Sequence, residues 1–125
     1  MKKAIFLLFA TIGLSQLGQA QVTVVNNTPE DIFFYEMFTT SCPTETCEEY
    51  YSVPARSRVR TSGRCTFGGG TFMAIWFQIV SCSGYIKTSS PVSFCAPYAP
   101  SGTFSSCVTG NTYNYNWSGP TLVIN

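Results

Sequence analysis

The sequence contains no histidine, and only 10% of its 125 residues are charged. Without histidine there is no Ser-His-Asp or Cys-His nucleophile and no imidazole-ligated zinc or copper centre. Seven Lys/Arg against six Asp/Glu leave no basic surplus for nucleic acid and no polyacidic tail. Beyond residue 20 no apolar run approaches the roughly 20 residues that a helical membrane span requires. Helical periodicity is equally scarce. Gly68-Gly69-Gly70 lacks the Lys-Ser/Thr that would make it a phosphate-binding loop and reads as a turn. No cofactor or metal ligand set is recognisable, and the Asn26-Asn27 turn with Glu30 and Asp31 lacks the spacing of a calcium loop.

The first 20 residues have the make-up of a secretory leader of bacterial type: Lys2 and Lys3, an apolar run from Ala4 to Leu14, then small residues at Gly18 and Ala20. Removing them leaves residues 21–125 as one domain, bearing five cations and six anions. The expected destination is the periplasm or the cell exterior. Six cysteines follow: Cys42, Cys47, Cys65, Cys82, Cys95 and Cys107. An even number behind a leader implies three disulfides, whose connectivity the spacing leaves open. Cys42 to Cys47 suits a small closed loop, and both Cys82 to Cys95 and Cys95 to Cys107 suit cross-linked hairpins.

Turn residues recur at short intervals between β-prone stretches. Gln21–Asn26 ends in the turn cluster Asn26-Asn27-Thr28-Pro29. Asp31–Phe38 is apolar on both faces, with Ile32, Phe34, Glu36 and Phe38 on one and Phe33, Tyr35 and Met37 on the other, the signature of a central strand. Glu45–Tyr51 fits a helical turn or an edge strand. Ser57–Ser62 is a short strand, and Phe72–Val80 is the most apolar segment and the heart of a sheet. Shorter strands are expected at Gly84–Thr88, Val92–Ala96, Thr103–Val108, Thr112–Trp117 and Thr121–Ile124. About eight to ten short strands with turns between them predict an all-β fold, a small antiparallel β-sandwich of Greek-key or immunoglobulin-like type.

Thr112–Trp117 alternates strictly, which puts Tyr113, Tyr115 and Trp117 on one face and Asn114 and Asn116 on the other. Exposed, the three rings would be a platform for a sugar, with the asparagines supplying donors and acceptors; buried, they are this strand's share of the core. Arg56, Arg58 and Arg60 also alternate, forming a candidate contact for anionic groups or a charged edge against unwanted strand pairing. Glu45–Glu49 would answer them across a hairpin, or meet them in another molecule. For a glycosidase, which needs two carboxylates, Glu36 with Glu48 or Glu49 can be nominated.

The expected function is a secreted, non-catalytic binding module that contacts an extracellular glycan or envelope component through Tyr113, Tyr115, Trp117, Asn114 and Asn116. One alternative is a self-assembling subunit of an extracellular layer or filament. A second is a secreted inhibitor or antagonistic effector that contacts a protein partner through rigid disulfide loops.

Overall fold

A computed structural model describes residues 21–91, 93 and 95–125; the leader lies outside them. Nine strands and one short 3₁₀ turn follow one another: β1 (Thr23–Asn26), β2 (Ile32–Thr39), β3 (Cys47–Val53), β4 (Ser57–Arg60), the 3₁₀ turn (Arg64–Gly68), β5 (Thr71–Ile79), β6 (Ile86–Thr88), β7 (Ser101–Ser105), β8 (Thr112–Ser118) and β9 (Thr121–Ile124). They form two stacked sheets, β4-β1-β9-β8-β7 and β3-β2-β5-β6. The β-sandwich read from the turn spacing is therefore the fold. One pairing departs from the antiparallel rule: β1 lies parallel to β9, with Val24 beside Leu122. Glu45–Tyr51 resolves as an edge strand. The strand expected over Val92–Ala96 falls partly outside the described residues, and Ser93, Cys95 and Ala96 have no strand pairing.

Alternation decides what goes inside. In β1 the buried Val24 and Asn26 alternate with the partly exposed Thr23 and Val25, and β9 repeats the pattern with Leu122 and Ile124 inward. Ile32, Phe34, Phe38, Val53, Ile75, Phe77 and Ile79 fill the facing sheet's inner surface. Between Met37 and Phe38 the β2–β5 register slips by one residue. The slip, a β-bulge, turns Phe72 inward while Met73 and Ala74 both join a smaller cluster with Met37 and Cys95 on the far side of that sheet.

Tyr113, Tyr115 and Trp117 complete the main core. Trp117 packs on Phe72 at a ring separation of 5.8 Å, and Tyr115 meets Phe77 at 5.4 Å and Phe104 at 6.3 Å. Their polar ends are accommodated. The Tyr113 hydroxyl donates to Glu30 at 2.5 Å and the Trp117 indole N–H donates to Thr88 Oγ1 at 3.0 Å. The Tyr115 hydroxyl lies so close over Gly102 that a Cβ there would meet it at 2.6 Å, which explains the glycine inside β7.

The disulfides join Cys42 to Cys95, Cys47 to Cys65 and Cys82 to Cys107. None of the three local pairings suggested by spacing forms. Cys47 faces inward from an edge strand towards the 3₁₀ turn, whereas Cys42 lies beyond the end of β2 and reaches across to the segment before β7. The Asn26 turn is a polar staple: its side-chain amide donates to the carbonyls of Glu30, Val53 and Pro54 at 2.8, 3.2 and 3.2 Å, and its oxygen accepts from the Thr28 amide and hydroxyl. That group is wholly buried, and its five bonds join the β1–β2 turn to the β3–β4 turn.

Truncation of Trp117 to Ala is expected to cost about 3–5 kcal/mol of stability. Gly102→Val should cost about 1–3 kcal/mol through overpacking against Tyr115. Urea unfolding of the two variants checks both, and an unchanged midpoint in either would contradict the packing described.

Candidate functional site

The five residues expected to make up the binding surface are split by the fold. Tyr113, Tyr115 and Trp117 are only 8, 8 and 9% exposed, so the exposed-platform expectation is corrected. These rings point inward because the five-stranded sheet needs large apolar groups opposite β2 and β5. Asn114 and Asn116 point outward and are exposed. Arg58 and Arg60 lie on that same outer face, since β8, β9, β1 and β4 are neighbours in one sheet. Arg56 precedes β4 in a turn, with a left-handed φ of 54°, so strand alternation does not set its direction.

The expected pairing of these arginines with Glu45–Glu49 is not made within the strands. β3 and β4 are consecutive but belong to different sheets. Glu48 pairs in register with Met37, on the outer side of the four-stranded sheet, and Glu49 turns inward, accepting from the Tyr51 hydroxyl at 2.6 Å and the Ser62 hydroxyl at 3.0 Å.

The outer face of the four-stranded sheet carries an aromatic surface instead. Registers place Tyr50, Tyr35, Trp76 and Lys87 in one row across β3, β2, β5 and β6. Phe33 flanks that row from β2, while Tyr85 and Tyr98 come from the segments either side of β6. Tyr35 and Tyr50 have ring centroids 5.3 Å apart, Phe33 and Tyr50 5.4 Å, Tyr35 and Tyr85 5.6 Å, and Trp76 and Tyr98 6.5 Å. Most contacts are tilted or edge-on, so the rings hold one another in place. Tyr50 is 55% exposed and Tyr85 40%, while Phe33, Tyr35, Trp76 and Tyr98 are half-buried. Lys87 Nζ sits 4.2 Å from the centre of Trp76, a cation–π contact that fixes a positive charge at the patch edge. Beside Tyr50, Glu49, Tyr51, Ser62 and Arg64 complete an open groove of about 310 Å³.

Alternation marks part of this surface, in Phe33 and Tyr35, and a central strand is ordinarily covered on both sides. That cover is present at Met37, which is buried with Met73, Ala74 and Cys95, but is incomplete at Phe33 and Tyr35. Only the cross-strand register adds Tyr50 and Trp76 to the same row.

The nominated carboxylates make no open cleft. Glu36 and Glu48 project to opposite faces of the sheet, whereas Glu36 and Glu49 are direct cross-strand neighbours on the inner face. Glu36 is fully buried, so a substrate has no path to it. Its Oε2 accepts from the Thr61 hydroxyl at 2.7 Å, while Oε1 of Glu36 and Oε1 of Glu49 have no partner among the described residues. Loss of solvation, reinforced by the neighbouring Glu49 charge and opposed by the Thr61 bond, raises the Glu36 pKa from 4.5 to about 8. At neutral pH this side chain is a carboxylic acid. Among the described residues no cluster of three or more His, Cys, Asp or Glu is arranged to hold a metal, and no helix is long and apolar enough to cross a membrane.

No protein-family model matches the chain, and comparison with curated proteins and with solved structures gives no match either.

The folded protein retains the Glu36 proton over a pH range in which the unfolded chain releases it. Its contribution to stability is complete below about pH 4.5 and is lost as pH rises towards about 8. Glu36→Gln, which keeps the neutral shape, should remove that dependence and raise stability at pH 9 by on the order of a few kcal/mol. Denaturant unfolding of both proteins across this range is the measurement, and parallel curves would contradict the assignment.

Proposed function

We propose that the protein is an exported, non-catalytic binding module that holds a carbohydrate on the outer face of β3-β2-β5-β6. The observation that supports this reading best is the continuous aromatic surface of Phe33, Tyr35, Tyr50, Trp76, Tyr85 and Tyr98, in which Tyr35, Trp76 and Tyr98 rest on the small Met37 cluster while Tyr50 and Tyr85 stand exposed above the sheet. An exposed apolar patch on a small domain marks a contact surface. Aromatic faces suit the C–H side of a sugar ring, and the tyrosine hydroxyls with Lys87 provide directional bonds at the rim. The rings are braced by one another and by the sheet beneath, so little side-chain entropy is lost when a ligand settles on them. Export rests on the leader and on three disulfides, which persist in oxidising compartments.

A second reading has its own support. β7 (Ser101–Ser105) ends the five-stranded sheet and has neither a charge nor a proline to discourage another strand from pairing with it. That edge suits a self-assembling subunit of an extracellular layer. The inhibitor alternative leaned on a closed Cys42–Cys47 loop, and those cysteines bond elsewhere.

Affinity electrophoresis through a panel of neutral polysaccharides tests the binding module. Tyr50→Ala/Tyr85→Ala should weaken retention by about tenfold or more while leaving the melting temperature nearly unchanged, because both rings are substantially exposed. Equal retention of the variant and the wild type, or no retention of either, would overturn this reading. Sedimentation across a concentration series addresses the second one: a single monomeric species throughout would exclude assembly through β7.

A further inference from the structure

The outer face of the other sheet combines charge and hydrogen-bonding groups in a different way. Strand register lays out its rows. Arg60, Thr23, Thr121 and Ser118 form one, and Arg58, Val25, Val123, Asn116 and Ser101 form the next. Beyond them Thr103 pairs with Asn114, whose backbone bonds in turn to Asn125. No outward-facing residue of these five strands is acidic. Yet two of the five cations after residue 20 stand on this face, and a third, Arg56, stands at its corner.

Three strand spacings separate Arg58 from Asn116, about 14 Å. The central residues Thr23, Val25, Thr121 and Val123 are short, so they leave a low strip between the arginine edge and the asparagines. The nearby acids lie in the turns and not on the strands of this face, Asp31 beside the Arg56 turn and Glu30 towards the β7–β8 loop. Asp31 accepts from the Ala55 amide at 2.9 Å, and Glu30 accepts from Ser106, Thr109 and Tyr113. Arg56 is exposed in the turn just before β4, with a left-handed φ of 54°.

We propose that this face is a second binding surface, for an acidic polysaccharide. Arg58 and Arg60, with Arg56 at the corner, take its carboxylate or sulfate groups, and Asn114, Asn116 and the Thr/Ser rows take its hydroxyls. Guanidinium suits the anions because its planar fork bonds two oxygens at once and sheds water more readily than ammonium. The uncharged remainder selects a hydroxyl-bearing polymer over a bare polyanion. This surface is on the opposite side of the sandwich from the aromatic patch and does not depend on it.

The test is calorimetric titration with polygalacturonate, dextran sulfate, sodium polyphosphate and neutral dextran. Each is run on the wild type and on Tyr50→Ala/Tyr85→Ala, so that loss of the aromatic site cannot be confused with loss of this one. Binding of polygalacturonate or dextran sulfate, weakened by added salt and equal in both proteins, is the expected result. Arg58→Ser/Arg60→Ser should lower that affinity by about tenfold or more, and Asn116→Ala by a few-fold, with melting temperatures unchanged. Arg58→Lys/Arg60→Lys retains the charges that guard the β4 edge yet loses the bidentate fork, so it too should bind less tightly. If the arginines serve only to guard the edge, the serine variant will aggregate without losing affinity, and the proposal is overturned. It is equally overturned if no acidic glycan binds, or if polyphosphate alone does.

Discussion

A column of rings between the two sheets carries most of the organisation. Trp117 rests on Phe72, Tyr115 lies against Phe77 and Phe104, and Tyr113 meets Phe104 at 5.7 Å. Each ring buries a large apolar area, which is the main favourable contribution available to a domain of this size. Two of the rings also spend a polar group on an element outside their own sheet: Trp117 bonds Thr88 at the end of β6, and Tyr113 bonds Glu30 in the β1–β2 turn. The stack therefore fixes the distance between the sheets and also their relative position.

With the sheets held this way, their outer surfaces become available for other tasks. One is aromatic and nearly uncharged, with Lys87 at its rim and Glu48 on the neighbouring row. The other is polar, with arginines along one edge and no carboxylate on its strands. The disulfides work at the periphery. Cys42–Cys95 ties the segment leading to β7 over the Met37 and Ala74 side of the four-stranded sheet, and Cys82–Cys107 joins the ends of loops from opposite sheets. Three covalent ties and a ring-filled core give both surfaces a stiff base. Such a base limits the side-chain freedom that either surface could lose on contact with another molecule.

Glu36 is the unusual member of the interior. A carboxyl group with no exposure, one bonded oxygen and a second without a partner is tolerated because it can hold its proton. The adjacent Glu49 turns the same way and accepts from the Tyr51 and Ser62 hydroxyls. The buried carboxyl makes the stability of the sandwich fall as pH rises from about 4.5 to about 8.

Strand number, strand faces and the two-sheet class were legible from alternation and turn residues, because those signals are local and each strand reports its own period. The pairing of cysteines was not, since the bonded partners lie 53, 18 and 25 residues apart and are brought together only by the arrangement of the sheets. The candidate site was half legible. Strict alternation separated Tyr113, Tyr115 and Trp117 from Asn114 and Asn116, and it separated Phe33 and Tyr35 from Phe34. It could not say which set meets water, because a face is inside or outside only relative to a second sheet. Tertiary structure decided that β8 turns its rings towards β5, and that the row of Tyr50, Tyr35 and Trp76 lies on an outer face, with Tyr50 exposed and the other two half-buried. It also placed Arg58 and Asn116 on one surface, because the β4–β1 pair and the β9–β8 pair, more than 50 residues apart along the chain, are joined side by side through β1 and β9.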